Sequence, residues 1–227
     1  LIISALMVLY AVDISVGNTV LEIFDGIGNS ATATMPTDWK VDKNNNYRYV
    51  GSYSSAGIKT EQVGGNGMTT SAPSGIYNFG AGAAGSATDR AVGGLSAKDK
   101  AKSVNIYVKL TNNGSSDISS FTISYNVEKY RMGSNPAGFT IQMYYSFTGN
   151  ANDWTSAGDD FKASFTADTD NNGYTTAPGD SVVISDKTLS QSLAAGSSLY
   201  LAWNYSVTTD SNTSNAQALG IDDVSIT

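Results

Sequence analysis

The stretch DTDNNGY holds the densest set of oxygen ligands in the chain. Asp168, Asp170, Asn172 and Gly173 fit the first half of a calcium loop, D-x-[DN]-x-[DN]-G. In such a loop alternate side chains around a glycine turn converge on one hard cation. Tyr174 would add its backbone carbonyl, and Asp180 stands one residue past the place where these loops carry a closing glutamate. Ca2+ held here would stiffen the loop rather than catalyse. A polar hairpin loop built from Asx-turns accounts for the same residues equally well.

A second set of residues could stack on sugar rings. Tyr107, Tyr144 and Tyr200 fall on the polar parity of their strands, and Trp154 lies in the loop NANDWTSAG. Solvent-facing tyrosines are also ordinary β formers. Trp203 falls on an apolar parity and reads as core, while Trp39, just after Pro-Thr-Asp, reads as a plug at the sandwich edge.

Acid–base and nucleophilic chemistry have little to work with. The chain has no histidine and no cysteine, which removes the commonest general base and the thiolate nucleophile. Glu128 with a distant aspartate could form a glycosidase pair, but VEKYR and ATDRAVGG read better as Glu–Arg and Asp–Arg pairs that pin strands and loops. VGGNG and GAGAAG lack the Lys-Ser/Thr of a phosphate loop and read as turns. No catalytic residue is assigned, and the chain is expected not to be an enzyme. A net charge of −7, from 13 basic and 20 acidic residues, argues against a nucleic-acid partner. No apolar run reaches the length of a membrane-spanning helix.

The elements that must position these residues are strands. Val104, Ile106, Val108 and Leu110 alternate with polar residues, as do Phe121, Ile123, Tyr125 and Val127. Phe139 to Phe147 and Leu199 to Val207 repeat the pattern. Period two with clusters such as NNGSSD, GNAND and AAGSS between runs predicts antiparallel sheets, each wet on one face. In LGIDDVSIT the apolar parity switches after Ile221, so a bulge at Asp222–Asp223 is expected to return Val224 and Ile226 to the core. The glycine-rich region from Gly51 to Gly94 is weakly patterned and reads as long loops between short strands such as SGIYNFG. The fold class is all-β: one antiparallel, jelly-roll-like β-sandwich over residues 18–227, preceded by a hydrophobic segment, residues 1–17.

FDGIGNSATATMPTDWKVD, IYNFG followed by ATDRAVGGL, ISYNVEKYRMG, LAWNYS and LGIDDVSIT together resemble a bacterial extracellular jelly-roll module. The likeness runs from about Thr19 to Thr227. Such modules occur in secreted or surface-anchored proteins and are similar to carbohydrate-binding and concanavalin-like sandwiches. The resemblance implies export and a β-sandwich; it implies no defined reaction.

Leu1–Val12, LIISALMVLYAV, is apolar on both faces when read as a strand, unlike every later strand. Its length suits a signal-peptide core, yet no basic residue precedes it. Retained in the mature protein, it belongs in the middle of something. Leu1, Ile2, Ile3, Leu6, Met7, Val8, Leu9, Tyr10 and Val12 would then join one copy of the chain to the next by strand donation. A head-to-tail contact of that kind propagates as a fibre. Two functions follow from the sequence: a self-assembling extracellular fibre or surface layer, a homopolymer, and alternatively a carbohydrate-binding module whose partner is a polysaccharide.

Overall fold

The computed structural model describes residues 12–209 and 211–227. β1 (Val12–Ile14), β2 (Val20–Glu22) and β3 (Trp39–Asn44) come first, followed by β4 (Gln62–Gly64), β5 (Gly75–Gly80) and β6 (Arg90–Leu95). The middle of the chain forms β7 (Ser103–Asn112), β8 (Phe121–Arg131), β9 (Phe139–Ser146), β10 (Thr155–Ser156) and β11 (Lys162–Phe165). β12 (Asp180–Leu189), β13 (Ser198–Val207) and β14 (Ala218–Ile226) follow. Sheet A runs β1-β7-β13-β9-β10, with β3 also on β7 and β11 also on β9. Sheet B runs β12-β8-β14-β6-β5-β4, with β2 also on β14. The two sheets form a β-sandwich.

Both sheets are largely antiparallel, as the alternation predicts, and each also holds one parallel pair. β1 lies parallel to β7 and β4 parallel to β5. Each short strand reaches its partner by a long excursion rather than a hairpin turn, so nothing compels the antiparallel sense.

The alternating residues of β7, β8, β9 and β13 do meet between the sheets. Val104, Ile106, Ile123, Val127, Ile141, Met143, Leu201 and Trp203 are fully buried there. Trp203 stacks on Trp39, centroids 5.6 Å apart and planes 17° apart. Trp39 is therefore a central core residue and not an edge plug, because β3 pairs along β7 and turns the indole inward. The expected bulge is present: β14 slips against β8 between Asp222 and Ser225, with Asp223 at φ 50°, and both Val224 and Ile226 are buried.

The weakly patterned region contains β5 and β6, buried along their whole length. With both faces covered, no polar alternation survives. Gly93 makes the packing possible, since a Cβ there would meet the Leu219 carbonyl oxygen of β14.

Val12 is half-buried, packs on the core and pairs with Leu110. The sandwich thus takes in residues ahead of the boundary expected at residue 18. The other members of the expected assembly segment, Leu1 to Tyr10, lie outside the described residues. No helix among the described residues is long and apolar enough to cross a membrane.

Candidate functional site

The polar parity of sheet A forms rows across its outer face. Asp42, Asn105, Asn204, Gln142 and Lys162 stand opposite one another on β3, β7, β13, β9 and β11. Asn105 donates to Asp42 Oδ1 at 2.6 Å, and Asn204 donates to Asn105 Oδ1 at 2.6 Å. The next row holds Lys40, Tyr107, Ala202 and Tyr144.

A strap, residues 45–57, crosses half of this face and takes its bonds from it. Asn105 and Asn204 each donate to the Tyr49 carbonyl at 3.1 Å, and Gly51 N–H donates to the Tyr107 hydroxyl at 2.9 Å. Tyr107 in turn donates to Asp42 Oδ2 at 2.9 Å. Gly51 comes so close that a Cβ would lie 2.2 Å from that oxygen. Burial raises the Asp42 pKa, partly offset by the bonds from Asn105 and Tyr107.

The strap explains what became of the four aromatic candidates. Tyr107 is fully buried, not exposed: its parity is as expected, but the strap lies over it. Burial and the Asp42 charge hold its pKa far above the usual phenol range. Tyr144, Trp154 and Tyr200 are half-buried and pack around the same small cluster. Trp154 sits 5.6 Å from Tyr107, and Tyr200 sits 5.0 Å from Tyr53 of the strap. Sequence positions spread over almost a hundred residues thus form one patch.

Beside Tyr144 the uncovered half of the face sinks into a groove of about 260 Å³, lined by Arg48, Thr140, Gln142, Tyr144, Lys162 and Thr208. The Arg48 guanidinium is held by backbone carbonyls: Nη1 donates to those of Thr140 and Asn204, Nη2 to those of Ser206 and Val207. Burial lowers its pKa to about 10, so it stays charged at neutral pH.

The calcium-ligand candidates are arranged around a lysine. Lys129 Nζ lies 3.0 Å from Asp168 Oδ1 and 3.3 Å from Asp180 Oδ2. Asp168 Oδ2 accepts from Gly133 N–H and from Gln217. Asp170 accepts from Asn172 Nδ2 at 2.7 Å and from Asn171 N–H, and the Tyr174 carbonyl accepts from Gly67 N–H. The ammonium stands where a cation would bridge Asp168 and Asp180, while Asp170 and Asn172 bond to each other in an Asx-type turn. Burial alone would lower the Lys129 pKa, but the hydrogen bonds its ammonium donates to Asp168 and Tyr174 outweigh it and hold it above its usual value. Among the described residues no three acidic groups are arranged to hold a metal ion.

The expected Glu–Arg and Asp–Arg pairs do not form. Arg131 donates to the carbonyls of Thr69, Thr70 and Ala216, and Arg90 to Asn78 and the Ala84 carbonyl. Both still pin loops to strands, through backbone oxygen instead of carboxylate. Glu128 accepts from the Tyr130 hydroxyl, and burial raises its pKa.

No protein-family model and no curated protein matches the chain. Solved structures similar to it include the K3 cleaved adhesin domain of Lys-gingipain from Porphyromonas gingivalis W83. That likeness has 18% identity and a TM-score of 0.45, over 92% of this chain and 98% of that one. The K1 adhesin domain of the same protein gives 15% identity and a TM-score of 0.41, over 93% and 98%. A Clostridium thermocellum xylanase 10B fragment with CBM22-1 and GH10 modules gives 11% and 0.30, over 96% of this chain and 28% of that chain. Likenesses this remote concern the sandwich alone.

Sequence reasoning placed Gln142 on the same face as Tyr144 but missed Arg48, Lys162 and Gly51. Arg48 lies in NNNYRYVG, a polar loop with no periodicity, and only the sheet beneath it gives it a place. Lys162 was reachable, since FKASF alternates and puts it on the polar side.

Proposed function

We propose that this chain is an exported, non-catalytic binding module that takes a carbohydrate on the outer face of sheet A. One observation carries the reading: the half-buried rings of Tyr144, Trp154 and Tyr200 gather next to a groove walled by Thr140, Gln142 and Thr208. A sugar presents an apolar C–H face and a rim of hydroxyls, which suits flat rings beside amide and hydroxyl groups. The patch is pre-formed, since the strap already fixes Tyr107 and Trp154 beneath and beside it. Affinity electrophoresis through gels containing soluble polysaccharides tests it. Retardation by at least one polymer, lost in Tyr144→Ala with an unchanged melting temperature, is the expected result; free migration through neutral and acidic polymers alike overturns it.

A second reading, a homopolymeric fibre or surface layer joined through Leu1–Val12, is favoured by the two-faced apolarity of that segment and by the direct entry of Val12 into sheet A. Electron microscopy of the chain with and without residues 1–11 tests it. Filaments from the full chain and none from the shortened one support strand donation; filaments from both, or from neither, overturn it.

A further inference from the structure

The groove beside Tyr144 is basic although the chain as a whole is acidic. The chain carries 20 acidic and 13 basic residues, yet among the described residues the groove wall holds Arg48 and Lys162 and no carboxylate. We propose that this groove binds an acidic sugar, whose carboxylate or sulfate lies over Gln142 between Arg48 and Lys162. The proposal rests on the carbohydrate reading and names the class of sugar.

Register sets the spacing of the two cations. Lys162 stands directly opposite Gln142, and on the other side Gln142 stands opposite Asn204. Arg48 Nη1 reaches Asn204 Oδ1 at 3.3 Å. Adjacent strands are about 4.8 Å apart, so the cations flank Gln142 with a gap of roughly two strand spacings. An anionic group with its sugar ring fits that gap, and the ring then reaches Tyr144, the next outward residue of β9.

Arg48 is also unlike the other two arginines. Arg90 shares its surroundings with Asp25 and Asp89, and Arg131 with Asp170. Among the described residues the ionisable neighbours of Arg48 are the phenols of Tyr144 and Tyr205. Its four carbonyl partners fix the guanidinium but are neutral, and among the described residues no carboxylate is paired with it. A bound anion supplies one. Lys162 is paired with the exposed Asp159 at 2.5 Å; an exposed pair of this kind contributes little, so Lys162 can turn to the ligand at little cost.

The protein's net charge of −7 repels polyanions at long range. Attraction must therefore come from this local pair, over a distance within the roughly 8 Å screening length of physiological salt.

The test compares one polymer with and without its charge. The full chain is titrated calorimetrically with polygalacturonate and with the same polymer fully methyl-esterified, then with dextran sulfate and with dextran. At least tenfold tighter binding to one charged polymer than to its neutral form is expected, weakening as salt rises. Its appearance in the first pair identifies a carboxylate ligand, in the second a sulfate. Lys162→Glu, at an exposed position, is expected to remove the charge preference while leaving the melting temperature unchanged; this avoids Arg48 variants, which lose four backbone contacts. Equal affinity for charged and neutral forms overturns the acidic-sugar assignment and leaves the carbohydrate reading standing. A charge preference that survives Lys162→Glu also overturns the assignment. No binding to any of the four polymers overturns both.

Discussion

Trp154 donates its indole N–H to the Gly51 carbonyl across 2.7 Å, and this bond ties the loop after β9 to the strap over sheet A. The ring itself rests on Tyr107. Two contributions can therefore be separated. Trp154→Phe keeps an aromatic plug and loses the hydrogen bond, at about 1 kcal/mol. Trp154→Ala also removes ring burial and is expected to cost about 3 kcal/mol. Urea unfolding curves measure both, and amide exchange at Gly51 and Tyr53 should accelerate in each variant. Equal stability of the two variants would show that the ring contributes nothing beyond its N–H.

Gly51 allows the strap to come close. Gly51→Ala puts a methyl group 2.2 Å from Asp42 Oδ2, a side chain already held by Asn105 and Tyr107. The strap must lift or the carboxylate must turn from its donors, and overpacking of this kind costs about 1–3 kcal/mol. The melting temperature is expected to fall by roughly 3–10 °C for a chain of this size. Increased accessibility of Tyr107 and Trp154 to acrylamide quenching should accompany it. An unchanged melting temperature would mean that the strap is loosely seated.

Lys129 stands between Asp168 of the DTDNNGY loop and Asp180, where a bridging cation would lie. Its side chain is 5% exposed and its ammonium already bridges Asp168 and Asp180. Millimolar CaCl2 is therefore expected to move the melting temperature no more than NaCl of equal ionic strength. Lys129→Met is expected to destabilise by about 3 kcal/mol, because it leaves Asp168 partly buried beside an apolar side chain. A specific rise in melting temperature with calcium, in the parent chain, would restore the metal-loop reading.

Residue parity made much of this fold legible. The switch from Leu219 and Ile221 to Val224 and Ile226 was enough to locate the Asp222–Asp223 bulge, because period two admits no other way to bury both pairs. It also placed Tyr107, Tyr144 and Tyr200 on the outer face. It could not show that Tyr107 is sealed, since the strap that covers it comes from residues some fifty positions earlier. β5 was legible only as the short strand SGIYNFG among long loops, and β6 escaped, because strands buried on both faces carry no alternation to read. DTDNNGY shows only the acidic half of its cluster, because the lysine that pairs with Asp168 lies on a distant strand.

The bulge that returns Val224 to the core also turns Asp222 into a buried acid. Asp222 is 4% exposed and accepts from Asp223 N–H at 2.7 Å. Burial raises its pKa to about 8, with Asp223, Glu128 and Asp89 adding to the effect. Arg90, the cation carried by the neighbouring β6, directs its guanidinium to Asn78 and the Ala84 carbonyl. The folded state therefore keeps a proton that the unfolded chain releases near pH 4. Stability from this group is full below about pH 4 and is lost as pH rises toward 8, and Glu128 acts in the same direction. Asp222→Asn keeps an oxygen for Asp223 N–H and removes the titration. The parent chain should lose on the order of 2–4 kcal/mol relative to this variant between pH 4 and pH 8, read as roughly 5–15 °C of melting temperature. Parallel pH profiles for the two proteins would show that Asp222 ionises freely and that the bulge leaves it open to water.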